Sequence, residues 1–193
     1  ASMIIIVLPD TASDNDLLKR AQQGDQEAIK AIYLQYFDAI YQFIRLRVAN
    51  RQTAEDLAGN VFLEFVRAIR NGKSPRKNLR AWLFRVARNE LYDHYGEQKR
   101  VREVALGEWL PASSQHNPEL HFTHTFDLQR VRRAFLQLTD AQQELLMLRF
   151  GHMLNLQETA DVMGKSVSAV KSLQFRAVNA LRDMLDQQET DHD

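Results

Sequence analysis

The sequence predicts an all-α protein: two small helical domains joined by a flexible linker. Three observations carry this. Apolar residues recur at spacings of three and four over most of the chain, capping residues stand ahead of those runs, and one intervening stretch holds prolines and no period. The length of 193 residues allows one large domain or two small ones and does not itself choose.

Residues 1–13 read as an N-terminal arm. Ala1-Ser2 ahead of Met3 looks like a tag remnant, which makes Met3 the natural start. The longest apolar run, "MIIIVLP", is too short to cross a bilayer and lacks the basic flank and cleavage site of a signal peptide. Its "IIIV" segment reads either as a short β-strand or as an arm disordered in solution.

The first domain spans 14–102. Asp14 to Gln23 forms a short helix that Gly24 ends. From Asp25 to Val48, Ile29, Ile32, Tyr33, Tyr36, Ile40, Phe43 and Ile44 recur at helical spacing. Thr53 is placed to cap a third helix, with Glu55 and Asp56 at its positive end. That helix buries Leu57, Val61, Phe62, Phe65 and Ile69 and stops near Gly72. The loop "GKSPRKN" leads into a fourth helix from about Leu79 to Lys99.

The stretch "GEWLPASSQHNPEL" marks the linker, residues 103–125. The second domain, 126–186, opens with a helix from about Phe126 to Leu138. Thr139 with Gln142, and Asn155 with Glu158, have the spacing of a capping box. Gly151 closes the first of those helices and Gly164 the second. Ser166 caps the last helix, and residues 187–193 form a tail.

The chain has 25 basic and 25 acidic residues and no net charge, but the charge is unevenly spread. Between Arg67 and Arg102, eleven basic residues face three acidic ones, a local charge of +8. Local charge density, not the total, attracts phosphates and releases counterions. Trp82, Phe84, Tyr92 and Tyr95 are interleaved in the same segment, and charge with aromatic faces suits single-stranded nucleic acid. Trp82, Val86 and Tyr92 could equally be core, and a basic helix can be no more than a solvated face.

In the last helix Val167, Val170, Val178, Leu181 and Leu185 fall on one side. Ser168, Ser172 and Arg176 point the other way, beside Lys171 and Phe175. A small Ala160, a Gly164 turn, a serine cap and a polar outer face make a helix-turn-helix pattern, whose second helix enters the major groove. The plain alternative is an αα-hairpin with no ligand.

Enzyme chemistry finds no footing. The chain has no cysteine, which excludes disulfides, cysteine–zinc sites and thiol catalysis and fits a reducing, cytoplasmic setting. There is no Gly-rich phosphate loop, GxSxG or HExxH. His121 and His124 could share a helix face, yet no third ligand stands near them, and neighbours such as Asp93 and His94 do not face each other. We therefore expect no catalytic residue, no metal and no cofactor.

Two segments together resemble a known family. "AEDLAGNVFLEFVRAI" with "LRAWLFRVARNELYDHYGEQKR" is similar to region 2 of the extracytoplasmic-function sigma factors of bacterial RNA polymerase. "LTDAQQELLMLRFGHMLNLQETADVMGKSVSAVKSLQFRAVNALRDML" resembles their region 4, and "DLLKRAQQGDQEAIKAIYLQYFDAIYQFI" matches the start of region 2. The resemblance covers about residues 14 to 102 and 126 to 185.

It implies that Asp56, Leu57, Val61, Phe62 and Phe65 dock on the clamp helices of core RNA polymerase. Lys73, Arg76, Lys77, Asn78, Arg85, Arg88, Asn89 and Tyr92 would capture unstacked bases of the −10 element. Ser168, Lys171, Ser172, Phe175 and Arg176 would read the −35 element as duplex. The implied partners are core polymerase (clamp helices and flap), promoter DNA and an anti-sigma factor that can hold the protein at the inner membrane, with no small-molecule substrate. Tethering both domains to one polymerase allows each contact to be weak, so the second domain need not be basic. From Thr139 to Asp186 it carries five basic and six acidic residues.

Two positions depart from the family pattern. Gly59 and Asn60 stand where a Gln and an acid are usual, and Leu173 replaces a frequent Arg. A second resemblance, to transcription regulators with an output domain of the response-regulator kind, covers the C-terminal half only. It would require an α/β receiver or a ligand-binding domain ahead of it, and the all-α basic-aromatic half does not have that alternation.

Overall fold

A computed structural model describes residues 11–95 and 130–190, and every element among them is helical. The side chains of residues 11–13 and 188–190 are not described. The N-terminal arm up to residue 10, the linker 103–125, residues 96–102 and 126–129 and the last three residues lie outside the described segments. So do His121 and His124.

Four helices make the N-terminal bundle: α1 (Thr11–Gln22), α2 (Gln26–Arg45), α3 (Arg51–Arg70) and α4 (Leu79–Tyr95). α1 packs on α2, α2 on α3 and α3 on α4, with α4 returning to α2. Gly24, in the left-handed region at φ +88°, ends α1. Asp25 then caps α2, its carboxylate accepting from the amides of Glu27 and Ala28. The expected Thr53 cap is replaced by Asn50, whose side-chain oxygen accepts from Gln52 N at 2.8 Å. Asn is at least as good a cap as Thr, and using it adds nearly a turn to α3.

The bundle core follows the predicted spacing. Ile32, Tyr36, Ile40, Phe43 and Ile44 of α2 are fully buried, against Val61 and Phe65 of α3 and Leu83, Phe84 and Ala87 of α4. Tyr33 is the exception and stands exposed. The buried Tyr36 hydroxyl donates to the Asp14 carboxylate, which also accepts from Gln35 Nε2 at 2.6 Å, pinning α1 to α2. Burial raises the Asp14 pKa above its usual range, and burial with the adjoining Asp14 raises that of Tyr36.

The C-terminal bundle comprises α5 (130–137), α6 (Asp140–Leu146), α7 (Leu156–Met163) and α8 (Val167–Thr190). α6 does not stop at its end but widens into a π-turn over Met147–Gly151, closed by His152 N donating to Met147 O. Both expected capping boxes are present, at Thr139 with Gln142 and at Asn155 with Glu158. Gly164 takes φ +63° between α7 and α8, and Ser166 Oγ accepts from Ala169 N at 3.1 Å. Val170, Leu173 and Ala177 of α8 face α6 and α7. Leu173 is therefore a core residue, which is why a charged side chain is absent there.

α4 and α7 also pack against each other, and a single hydrophobic core runs through both bundles. The expectation of two helical units holds, but they are in contact.

Candidate nucleic-acid interface

The basic surface is built by the loop after α3 and by the outer face of α4. Gly72, at φ +65°, turns the chain out of α3, with Lys73 N donating to Ala68 O at 2.8 Å. Asn78, at φ +54°, turns it into α4. Between these turns Lys73, Arg76, Lys77 and Asn78 are exposed, and Arg85, Asn89 and Tyr92 continue the exposed row along α4. Spacings of three and four place Arg85, Arg88, Asn89 and Tyr92 on one helix face.

Trp82 does not join that row as a free ring. It is half-buried, edge-on to Phe65 at 5.9 Å. A cavity of about 300 Å³ opens beside it, lined by Lys73, Lys77, Asn78 and Arg85 from the basic loop and helix, and by Asp161 from α7. Its size and its mixture of an aromatic wall with cationic rims suit a base or a phosphate.

Arg88 is half-buried. Its Nε donates to Glu144 Oε1 of α6 at 2.9 Å, and its guanidinium lies 4.4 Å from the ring centroid of Tyr92. Glu144 also faces Arg47, at the end of α2, across 4.0 Å. Arg47 packs over the Phe43 ring, and burial lowers its pKa to about 10, so it stays charged near neutrality. At the start of α4, Arg80 Nη2 donates to His152 O at 3.0 Å and stands 3.8 Å from Glu158 Oε2.

His152 fills the joint. Its ring sits 5.7 Å from Phe43 and 5.0 Å from Phe84, both core residues of the N-terminal bundle. Burial, reinforced by Arg47 and Arg80, drives its pKa down to about 3, so the imidazole is neutral. Sequence reasoning misses Arg47, Arg80, Glu144, His152 and Glu158 as a set. Their partners are 56 to 72 positions apart along the chain for Arg88–Glu144 and Arg80–His152, where no periodicity can report a contact.

The expected polymerase-docking residues fall differently from the expectation. Asp56 is exposed, but Leu57, Val61, Phe62 and Phe65 are buried in the chain's own core. They face inward because they form the packing stripe of an amphipathic helix, with Leu57 and Phe62 less completely covered than Val61 and Phe65. On α2 and α3, Tyr33, Leu34 and Leu63 are the large apolar side chains that stand exposed among the described residues. Phe62 supports them from below, its ring edge-on to Tyr33 at 5.0 Å. Asn60, one of the departures from the family pattern, donates to Glu90 Oε2 of α4 at 3.1 Å and so ties α3 to α4.

On α8, Ser168, Lys171, Ser172, Phe175 and Arg176 are all exposed, and Phe175 is 69% accessible. Arg149 Nε donates to Gln174 Oε1 at 2.9 Å and holds the π-turn against the inner edge of the helix. Among the described residues no group of acidic and histidine side chains could hold a metal ion, and no helix is long and apolar enough to cross a membrane.

Comparison with known proteins assigns both halves. Residues 32–101 match the Sigma-70 region 2 family and residues 134–183 the Sigma-70 region 4 family. An ECF RNA polymerase sigma factor of Streptomyces coelicolor, BldN, is 37% identical over 91% of this chain and 67% of its own length. Two solved structures share the fold. That of CnrH in complex with the cytosolic domain of CnrY covers 91% of this chain and 98% of its own, at TM-score 0.65 and 23% identity. That of the sigma factor RpoE with the anti-sigma factor NepR from Bartonella quintana covers 81% and 96%, at TM-score 0.59 and 22% identity.

Proposed function

The chain belongs to the sigma-70 family, among the ECF RNA polymerase sigma factors, and we propose that it directs core polymerase to promoters through a division of labour between its two bundles. The exposed cationic loop at 72–78 and the row Arg85, Arg88, Asn89 and Tyr92 take the unpaired −10 strand. Phosphates meet the cations, and one base enters the cavity beside Trp82. The outer face of α8, with Ser168, Lys171, Ser172, Phe175 and Arg176, enters the major groove of the −35 duplex.

The observation that carries this reading is the pairing of two different nucleic-acid surfaces in one chain. One is strongly basic with aromatic side chains, and the other is a nearly neutral helix projecting from a capped helix-turn-helix. A free-standing regulator of the response-regulator output kind has no use for the first. Chemistry here is binding and positioning; the polymerase supplies catalysis.

Asp56 and the apolar ridge of Tyr33, Leu34 and Leu63 form the docking surface for the polymerase clamp helices, with Leu57, Val61, Phe62 and Phe65 holding it from within. The C-terminal bundle engages the flap. The protein works in the cytoplasm, and an anti-sigma factor controls it, as NepR partners the sigma factor of Bartonella quintana.

Run-off transcription with core polymerase over a genomic promoter library tests this. Initiation at a defined set of sites only when the protein is present is the expected result. Absence of any core-dependent initiation would remove the assignment.

A further inference from the structure

A second cavity, of about 270 Å³, is distinct from the one beside Trp82 and draws its walls from both bundles. α4 contributes Leu91, Tyr92 and Tyr95, α6 contributes Ala141 and Glu144, and the end of α7 contributes Met163. Leu91 and Met163 are buried and Ala141 and Tyr95 half-buried, so much of the wall is apolar and part of it aromatic. Asp140 and Lys165 are exposed and belong to the mouth.

Two guanidiniums line this cavity, and their partners differ. Arg88 is satisfied: its Nε donates to Glu144 Oε1 at 2.9 Å, its Nη2 donates to the Tyr92 hydroxyl at 3.0 Å, and it lies over the Tyr92 ring. Arg47 is not. Its Nη1 donates to Phe43 O at 2.9 Å, but its buried Nη2 has no hydrogen-bond partner among the described residues. The nearest carboxylate oxygen to it, Glu144 Oε1, stands 4.0 Å away and is already held by Arg88. Arg47, Arg88 and Lys165 face only two carboxylates, Asp140 and Glu144, so one positive charge at the cavity is unanswered. A buried charged donor without an acceptor is costly, and a carboxylate is the acceptor that suits a guanidinium best.

We propose that this cavity binds a small aromatic carboxylate, whose ring lies against Leu91, Tyr95 and Met163 and whose charge answers Arg47. An apolar wall with a few convergent polar groups is the usual make-up of a small-molecule site. The space equals about nine waters at roughly 30 Å³ each, which is the size of a single-ring acid and too small for a nucleotide. The site is one of binding, with no reaction attached, and it stands independently of how the chain reads a promoter.

The test titrates 4-fluorobenzoate into the full chain near neutral pH at fixed ionic strength, with fluorine NMR as the readout. A ligand of about ten non-hydrogen atoms should reach a Kd of order 0.1–1 mM. At about ten times that Kd the melting temperature should rise by about 3–6 °C. The neutral isostere 4-fluorobenzyl alcohol should bind about ten-fold more weakly or worse, since it cannot answer the guanidinium. Ala141→Leu adds bulk to the cavity wall without changing any charge and should abolish binding. Ala169→Leu adds the same bulk at an exposed position of α8 outside the cavity and should leave binding unchanged.

No binding of 4-fluorobenzoate at ten millimolar, roughly ten times the weakest expected Kd, would mean that the cavity holds water alone and overturns the proposal. Equal affinity for the acid and the alcohol overturns it as well, because the open guanidinium would then select nothing. So does undiminished binding by a folded Ala141→Leu, which would place the ligand elsewhere. Should Ala141→Leu fail to fold, Lys165→Met, an exposed change at the mouth, must weaken the acid more than the alcohol; equal effects on both overturn the assignment.

Discussion

Arg88 on α4 and Glu144 on α6, 56 positions apart, form a 2.9 Å ion pair that joins the basic helix of one bundle to the first capped helix of the other. The Glu144 side chain is 10% exposed and that of Arg88 22%, so water screens the pair only in part. Removing one partner leaves the other charge partly buried and uncompensated, which costs more than the pair itself contributes.

The two residues should therefore be energetically coupled. In urea unfolding of wild type, Arg88→Gln, Glu144→Gln and the double variant, we expect a coupling of about 1–2 kcal/mol, within the range for contacting charged residues. Additivity of the single effects within about 0.3 kcal/mol would show that the pair does not hold the bundles together.

His152 makes the same contact pH-dependent. Its pKa is about 3 when packed and 6.5 when free, so it takes up a proton only when the joint opens or the chain unfolds. Its contribution is complete above about pH 6.5 and is lost as pH falls towards 3. Near pH 5 the loss amounts to roughly 2 kcal/mol, from about 1.4 kcal/mol per pH unit. Arg47 and Arg80 reinforce the effect, since both repel an imidazolium even though each faces a carboxylate, that of Glu144 or Glu158. The raised pKa of Asp14 acts in the opposite direction, because its protonation favours the folded state. His152→Phe, which fits between Phe43 and Phe84, isolates the imidazole's contribution. Denaturation midpoints of this variant should vary less between pH 7 and pH 5 than those of wild type, and identical profiles would discount the buried imidazole.

Gly59 offers a gain in stability. It lies within α3, and a Cβ added there meets nothing within 4 Å. Gly59→Ala should stabilise the bundle by about 1 kcal/mol, through helix propensity and a less flexible unfolded chain. The expected rise in Tm is about 2–4 °C for a chain of this size. A fall in Tm would point to a need for backbone freedom in mid-helix.

Much of this architecture is legible in the sequence. Caps and breakers are local signals, so Gly24, Gly72, Gly164, both capping boxes and the Ser166 cap can be read from a few neighbouring letters. The exposed rows of α4 and α8 follow from helical spacing, because a polar residue three or four positions from another shares its face. The ambiguities have an equally physical source. Leu57, Val61, Phe62 and Phe65 are buried in the bundle, and in a sequence apolar residues look the same whether they meet a partner or their own core. Periodicity identifies the apolar stripe but not what covers it; the exposed Tyr33, Leu34 and Leu63 break the stripe and so carry the information. The pairing of Arg88 with Glu144, and the insertion of His152 between Phe43 and Phe84, depend on how two separately legible bundles meet. No local pattern encodes that.

Arg176 tests the remaining surface. It is exposed on α8 beside Phe175 and is tied within the chain by a long 3.4 Å hydrogen bond from Nε to Ser172 O, so the guanidinium can turn towards a base edge or a phosphate. Ala177, next in sequence, is buried and anchors the helix, so truncating Arg176 should leave the fold intact. With core polymerase, Arg176→Ala should lower initiation at selected promoters by about ten-fold or more, corresponding to the roughly 1–3 kcal/mol of a good arginine contact. Pull-down of core polymerase should be unchanged. A uniform loss across all templates would identify a phosphate contact, whereas a loss that depends on the −35 bases would identify a reader. Parallel loss of core binding and promoter activity would mean that the exposed face of α8 is structural and reads nothing.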